Sequence, residues 1–269
     1  MLLAIDVGNT QTVIGVYDGE ELRHMWRIAT NKNHTSDELR LKLMPLLSSE
    51  GIGADGLGGA ALASVVPQLT HGWRSALRKL VGADPLVCTA DSAGEELFPT
   101  AYANPAEITS TPPLTVNPAE IGADRVADAV AARALYGQPV VVVDFGTATN
   151  IEVVDRDGAF AGGVIAPGVE TSASALFSHA NRLSAIELED PHTAIGGNTA
   201  QAIQAGIVYG EADRVDGLVR RIFEQLGYEA PVVATGGLAS RVAPLSRTIT
   251  HVNKELTLEG LRRIYEARG

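Results

Sequence analysis

The chain of 269 residues has a single cysteine, Cys88. One cysteine cannot close an internal disulfide, and no Cys/His cluster has the spacing of a zinc site. Cys88 ends the apolar run Pro85-Leu86-Val87-Cys88 and reads as a small core residue. Aromatic residues make up only 5% of the chain, so the core falls to Val, Ile, Leu and Ala, as in layered α/β proteins. Lys and Arg number 21 against 32 Asp and Glu, a formal net charge of −11, and no basic run interrupts that balance. A broad nucleic-acid surface is thereby excluded, since phosphate binding relies on clustered cations. No apolar stretch reaches the length of a membrane span, and no membrane partner is expected. Met1-Leu2-Leu3-Ala4-Ile5-Asp6 lacks a basic lead-in and reads as a buried strand rather than a signal peptide, so the expected location is cytoplasmic. There is no Walker A sequence. Gly51-Ile52-Gly53-Ala54-Asp55-Gly56 spells the dinucleotide fingerprint, but it follows a helix and precedes a strand, the wrong order for a phosphate turn.

Alternating and helical patterns fill the rest. Strands are expected over Leu2–Ile5, Thr12–Tyr17, Leu22–Ile28, Ala60–Val66 and Pro85–Thr89, with Asp18-Gly19 as a hairpin turn. Ser36 reads as a helix N-cap, and Pro45 is expected to kink or end the helix it opens. Pro67 starts a second helix with Leu69, Trp73, Leu77 and Leu80 on one face. Residues 90–121 carry five prolines and read as a connecting loop. A helix over Ala123–Tyr136, closed by Gly137, leads into Val140-Val141-Val142-Val143, a run suited to a strand buried on both faces. Strands near 150–155, 160–165 and 231–235 and helices near 170–180, 199–226 and 258–267 complete the pattern.

An internal echo organises the chain. Ile5-Asp6-Val7-Gly8-Asn9-Thr10 resembles Val143-Asp144-Phe145-Gly146-Thr147-Ala148, 138 residues later, and each reaches an Asp-Gly pair soon afterwards, Asp18-Gly19 and Asp157-Gly158. Two related α/β halves with a cleft between them are expected. The boundary falls in the helix around 126–138, dividing the chain into 1–125 and 126–269.

Each Asp-x-Gly turn is a candidate phosphate site. Gly8 permits close backbone approach, while neighbouring N–H groups and the Thr10 hydroxyl can donate to phosphate oxygens. Asp6 stands where a carboxylate could hold Mg²⁺ through water. The competing reading is an ordinary turn. Gly122-Ala123-Asp124-Arg125 at a helix start reads either as a local ion pair or as a proton acceptor beside a cation that attracts an anionic substrate. Thr235-Gly236-Gly237 is either a tight turn or a flat floor under a base. Asn198 and Thr199, after Gly196-Gly197, are either a helix N-cap or ligand contacts.

Taken in order, Asp6-Val7-Gly8-Asn9-Thr10, Ser64-Val65-Val66-Pro67, Asn117-Pro118-Ala119-Glu120-Ile121-Gly122-Ala123-Asp124-Arg125, Asp144-Phe145-Gly146-Thr147-Ala148-Thr149, Gly162 to Gly168, Gly197-Asn198-Thr199 and Thr235-Gly236-Gly237-Leu238-Ala239 resemble the type III pantothenate kinases over nearly the whole chain. The resemblance implies an α/β fold of duplicated actin-like ATPase (ribonuclease H-like) domains, with mixed sheets flanked by helices and a central cleft. It implies transfer of the ATP γ-phosphoryl group to pantothenate, a homodimer, Mg²⁺, and a monovalent cation, K⁺ or NH₄⁺. By matching positions, Asp6, Val7, Gly8, Asn9, Thr10, Gln11, Thr12 and Val13 would bind ATP phosphates, and Thr147 would contact ATP. Gly122, Ala123, Asp124 and Arg125 would bind pantothenate, with Asp124 the catalytic proton acceptor and Thr199 a further substrate contact. Asp144 would hold the monovalent cation and Asp6 the divalent one.

The chain also departs from the family pattern. The Tyr two residues before the family's Asn-Pro is Thr115 here, while Asn-Pro-Ala-Glu-Ile occurs twice, at 104–108 and 117–121, as in a tandem insertion. Tyr102, before the first copy, would take the place of the substrate Tyr, or no residue does. Glu152 and Asn150 stand where the family commonly has Asp and often has Thr. Two alternatives therefore stay open: a non-catalytic nucleotide-binding homologue, and a kinase of another small hydroxylated acceptor.

Overall fold

In a computed structural model of the chain, residues 1–94, 116–179 and 186–268 are described. Tyr102, Thr115 and the first Asn-Pro-Ala-Glu-Ile copy lie outside them. The described residues form two compact units: 1–94, 116–134 and 256–268 make the first, and 135–179 with 186–255 the second.

The first unit contains strands β1 (Leu2–Val7), β2 (Gln11–Asp18), β3 (Glu21–Ala29), β4 (Gly59–Ser64) and β5 (Leu86–Val87), in the order β3-β2-β1-β4-β5. β1 runs antiparallel to β2 and parallel to β4, with Asp6 opposite Val13 and Ala63. Its helices are α1 (Ser36–Ser49), α2 (Pro67–Val81), the short α3 (Ala90–Ala93) and most of α4 (Ala123–Tyr136). Leu39, Leu43 and Leu47 of α1 and Leu69, Trp73 and Leu77 of α2 bury against Leu3, Ile5, Ile14 and Val16.

Two local expectations are corrected. The α1 N-cap is Thr35, not Ser36: its Oγ1 accepts the Glu38 N–H at 3.3 Å, and the Glu38 carboxylate accepts the Thr35 N–H at 2.8 Å, closing a reciprocal capping box. Pro45 does not end α1, which runs through it to Ser49. Pro45 is exposed, and the buried stripe Leu39-Leu43-Leu47 lies on the other face of the helix.

The second unit repeats the plan. Strands β6 (Val140–Phe145), β7 (Ala148–Val154), β8 (Phe160–Pro167), β9 (Val232–Thr235) and β10 (His251–Val252) lie in the order β10-β9-β6-β7-β8, the first sheet's order read from the other edge. β6 is antiparallel to β7 and parallel to β9, as β1 is to β2 and β4. The valine run is the central strand and is buried, as its composition predicts. Helices α5 (Val169–His179), α6 (Thr199–Gln204), α7 (Gly210–Leu226) and the short α8 (Ala239–Val242) complete the unit, with a π turn over Ala205–Tyr209 joining α6 to α7.

The last helix, α9 (Leu256–Arg268), belongs to the first unit. Its Leu258, Leu261 and Ile264 pack with Leu2, Ala4, Tyr17, Val126 and Ala127. Residues 126–134 and 256–268 therefore group with the N-terminal sheet, a division that differs from 1–125 and 126–269. The apolar face of α9 finds its match on β1 and α4 rather than on the second sheet. Among the described residues no helix is long and apolar enough to cross a membrane.

Candidate functional site

In the first unit the Asp6-x-Gly turn links β1 to β2. The Gly8 N–H donates to the Gln11 carbonyl at 3.0 Å, closing the turn on itself. That amide serves the turn and not a ligand, which narrows the expected phosphate donors to its neighbours. A Cβ on residue 8 would sit 2.9 Å from the same carbonyl, so only glycine fits without a shift. Asn9, Thr10 and Gln11 are exposed, whereas Thr12 is buried and shares a 2.9 Å hydrogen bond with Thr30. Val13 is partly buried in β2, and Asp6 is partly buried at the strand end.

Gly122-Ala123-Asp124-Arg125 begins α4 in the same unit. Asp124 is partly buried, and desolvation pushes its carboxyl above the ordinary value of 3.8 despite the opposing Arg125 N–H and guanidinium. The Arg125 N–H reaches Asp124 Oδ1 at 2.8 Å. Cys88 lies against this helix start, its thiol 3.4 Å from the Ala123 carbonyl. Burial raises the thiol to about 12, and the nearby carboxylates of Asp124, Asp6 and Asp128 add to the rise. The fold thus seats Cys88, far away in sequence, against the residue before Asp124. A raised carboxyl pKa, as at Asp124, suits a proton acceptor.

In the second unit Asp144 is the penultimate residue of β6, opposite Asn150 of β7 and Thr235 of β9. Gly236 follows β9 with φ +90°, and a Cβ there would strike Asp144 Oδ1 and lie 2.6 Å from the Phe145 carbonyl. The glycine pair is therefore a tight turn seated on Asp144, with hard oxygen donors beside it that fit a small cation. Thr147 is exposed, and its carbonyl accepts from the Gly168 N–H at 3.1 Å and the Thr171 hydroxyl at 2.6 Å. Thr199 is the exposed first residue of α6, while Asn198 supplies the N-cap, accepting the Gln201 N–H at 3.0 Å. A second-unit cavity of about 630 Å³ is lined by Glu170, Phe177, Leu188, Asp190, Leu238 and Arg241, among others.

Among the described residues no three His, Cys, Asp or Glu side chains converge as a metal-ligand set. A carboxylate near the end of a strand, as Asp6 is, fits Mg²⁺ held mainly by water and phosphate oxygens. The pattern reasoning missed Glu211, a glutamate on the buried stripe Glu211-Val215-Val219 of α7. Its signal was available as one acidic residue at i, i+4, i+8 spacing with valines.

The family model for type III pantothenate kinase matches residues 2–221. A type III pantothenate kinase from Thermomicrobium roseum is 43% identical over 266 residues, covering 99% of this chain and 97% of the relative. One from Frankia alni is 45% identical over 266 residues, covering 99% of each. Among solved structures, a Baf family protein from Campylobacter jejuni aligns with a TM-score of 0.59 at 18% identity, covering 99% of this chain and 98% of that one. The ROK hexokinase from Thermus thermophilus aligns at 0.52 and 13% identity, covering 100% and 99%. The two repeated sheets are thus those of the actin-like ATPase and sugar-kinase fold.

Proposed function

Because the chain belongs to the type III pantothenate kinase family, we propose that it transfers the γ-phosphoryl group of ATP to the primary hydroxyl of pantothenate, giving 4'-phosphopantothenate, the first step of coenzyme A biosynthesis. The observation that carries the mechanism is the partly buried carboxylate of Asp124 in the first turn of α4, beside Arg125 and with its carboxyl held above the ordinary value. Arg125 draws the pantothenate carboxylate. Asp124 orients the acceptor hydroxyl and takes its proton as the bond to phosphorus forms. In a loose transition state that proton leaves late, so placement matters as much as basicity. Residues Asp6 to Val13 cradle the ATP phosphates, and Thr147 is an ATP contact in this reading. Asp6 would hold Mg²⁺ and Asp144 the monovalent cation, K⁺ or NH₄⁺; their chemistry is to neutralise phosphate charge. Thr199 is a substrate contact in this reading, as is Tyr102, outside the described residues. A cytoplasmic homodimer is the working assembly.

The test is ADP release with ATP and Mg²⁺, with and without pantothenate, in K⁺ and then in Na⁺. Release that needs pantothenate and K⁺ is the expected result. ATP binding by calorimetry with no pantothenate-dependent release would instead favour a nucleotide-binding homologue, for which the doubled Asn-Pro-Ala-Glu-Ile segment is the motive. Release with a different hydroxylated acceptor would favour a sister kinase.

A further inference from the structure

Glu211 is almost wholly buried, its side chain 2% exposed, on the α7 stripe that otherwise presents Ala212, Val215 and Val219 to the second sheet. Helix-end electrostatics do not explain it. The helix is continuous through the π turn, and Gly210 has helical φ −58° and ψ −35°, so no open N-terminus lies beside the carboxylate. Its contacts lead elsewhere. Glu211 accepts the Thr149 hydroxyl at 2.7 Å and pairs with Arg214, which also donates to the Pro167 carbonyl at 2.6 Å. Thr149 stands opposite Phe145 in the β6–β7 ladder, and Pro167 stands opposite Ala148 in the β7–β8 ladder. Gly168, next to Pro167, donates to the Thr147 carbonyl at 3.1 Å. One carboxylate and one guanidinium therefore hold the β7 side of the Phe145-Gly146-Thr147-Ala148 turn, through Thr149 and through Pro167 of the neighbouring strand.

We propose that Glu211, acting through Thr149 and Arg214, is a positioning residue that fixes the second Asp-x-Gly turn for ATP. The energetics favour function over packing. Arg214 Nε is buried with no hydrogen-bond partner, so the cluster carries an unsatisfied polar group where an apolar pair would join α7 to the sheet at less cost. π turns also recur where a helix must aim a residue at a working site.

This inference rests on Thr147 meeting ATP in the proposed reaction. Its test is Thr149→Val, which removes only the hydroxyl, beside Glu211→Ala and Glu211→Gln, with ATP affinity by calorimetry and steady-state kinetics for both substrates. Loss of the grip is expected to weaken ATP binding and raise its KM about tenfold in Thr149→Val and Glu211→Ala. Pantothenate KM should stay unchanged, and Glu211→Gln, which keeps an acceptor for Thr149, should recover part of the loss. Thr149→Val, an isosteric change, keeps the test open if Glu211→Ala does not fold. Unchanged ATP affinity in folded Thr149→Val, or an equal rise in both KM values, overturns the proposal. If the wild type binds ATP but does not turn over pantothenate, the kinase reading fails alone, and calorimetry on the variants still decides this inference.

Discussion

Asp124 and Cys88 show how one buried environment sets two chemistries. Burial raises both groups, which keeps the Cys88 thiol protonated and unreactive while leaving Asp124 a better proton acceptor than a surface carboxylate. The pH dependence follows from the direction of the shift. Asp124 must be ionised to accept a proton, so kcat/KM for pantothenate is expected to fall with decreasing pH through an acid limb above the ordinary value of 3.8. Stability has the opposite sense. With its folded value raised, Asp124 binds its proton more tightly in the native state, and its contribution to stability falls as pH rises from 3.8 through the folded value. Asp124→Asn is therefore expected to lower kcat about 10²- to 10⁴-fold. It should leave ATP binding intact and the melting temperature at neutral pH equal or higher. Turnover at the wild-type rate in that variant would remove Asp124 from the mechanism.

At the scale of elements, α7 does two jobs with two buried acids. Glu211 faces the β6–β7 turn, and Asp216, 2% exposed, holds the stretch after α8. Asp216 accepts the Ser246 hydroxyl at 2.5 Å, the Arg247 N–H at 2.8 Å, and the Thr248 N–H and hydroxyl at 3.1 and 2.8 Å. Burial pushes its pKa up, but these donors outweigh burial and hold it below the ordinary value of 3.8. A depressed folded value stabilises the native state above 3.8 and ceases to do so as pH falls through it. Asp216→Asn removes acceptor capacity and is expected to cost about 1–3 kcal/mol in denaturant unfolding at neutral pH, with a smaller difference in acid. A midpoint that does not move would show the loop to be held by other contacts. Pro45 carries the converse lesson. Its presence argued for a broken α1, but the proline sits on the exposed face while the buried stripe Leu39-Leu43-Leu47 holds the helix to the core.

For the whole molecule, α9 is the decisive element. Leu258, Leu261 and Ile264 are each no more than 2% exposed in the core of the first unit. Each such side chain contributes about 1.5–3 kcal/mol by burial. Their sum rivals the entire stability of a typical domain, about 5–15 kcal/mol. A chain ending at Glu255 is expected to lose cooperative thermal unfolding of the first unit and all ATP-dependent turnover. A truncated chain melting at the wild-type temperature would show that the first unit folds without its last helix.

The amino-acid sequence by itself determined the repeated strand–turn–strand opening of each half, the buried valine strand, the helices α2 and α4, and the Asp-x-Gly and Gly-Ala-Asp-Arg segments. Strand alternation, helical spacing and turn glycines are local, so a short window is enough to carry them. Only the tertiary structure decided that α9 returns to the first sheet, that Cys88 seats against the start of α4, that the Gly8 amide is spent inside its own turn, and that Glu211 holds the β7 side of the β6–β7 turn. Each depends on which surface covers which residue, and burial, hydrogen-bond partners and carboxyl pKa are properties of neighbours brought together across the chain rather than along it.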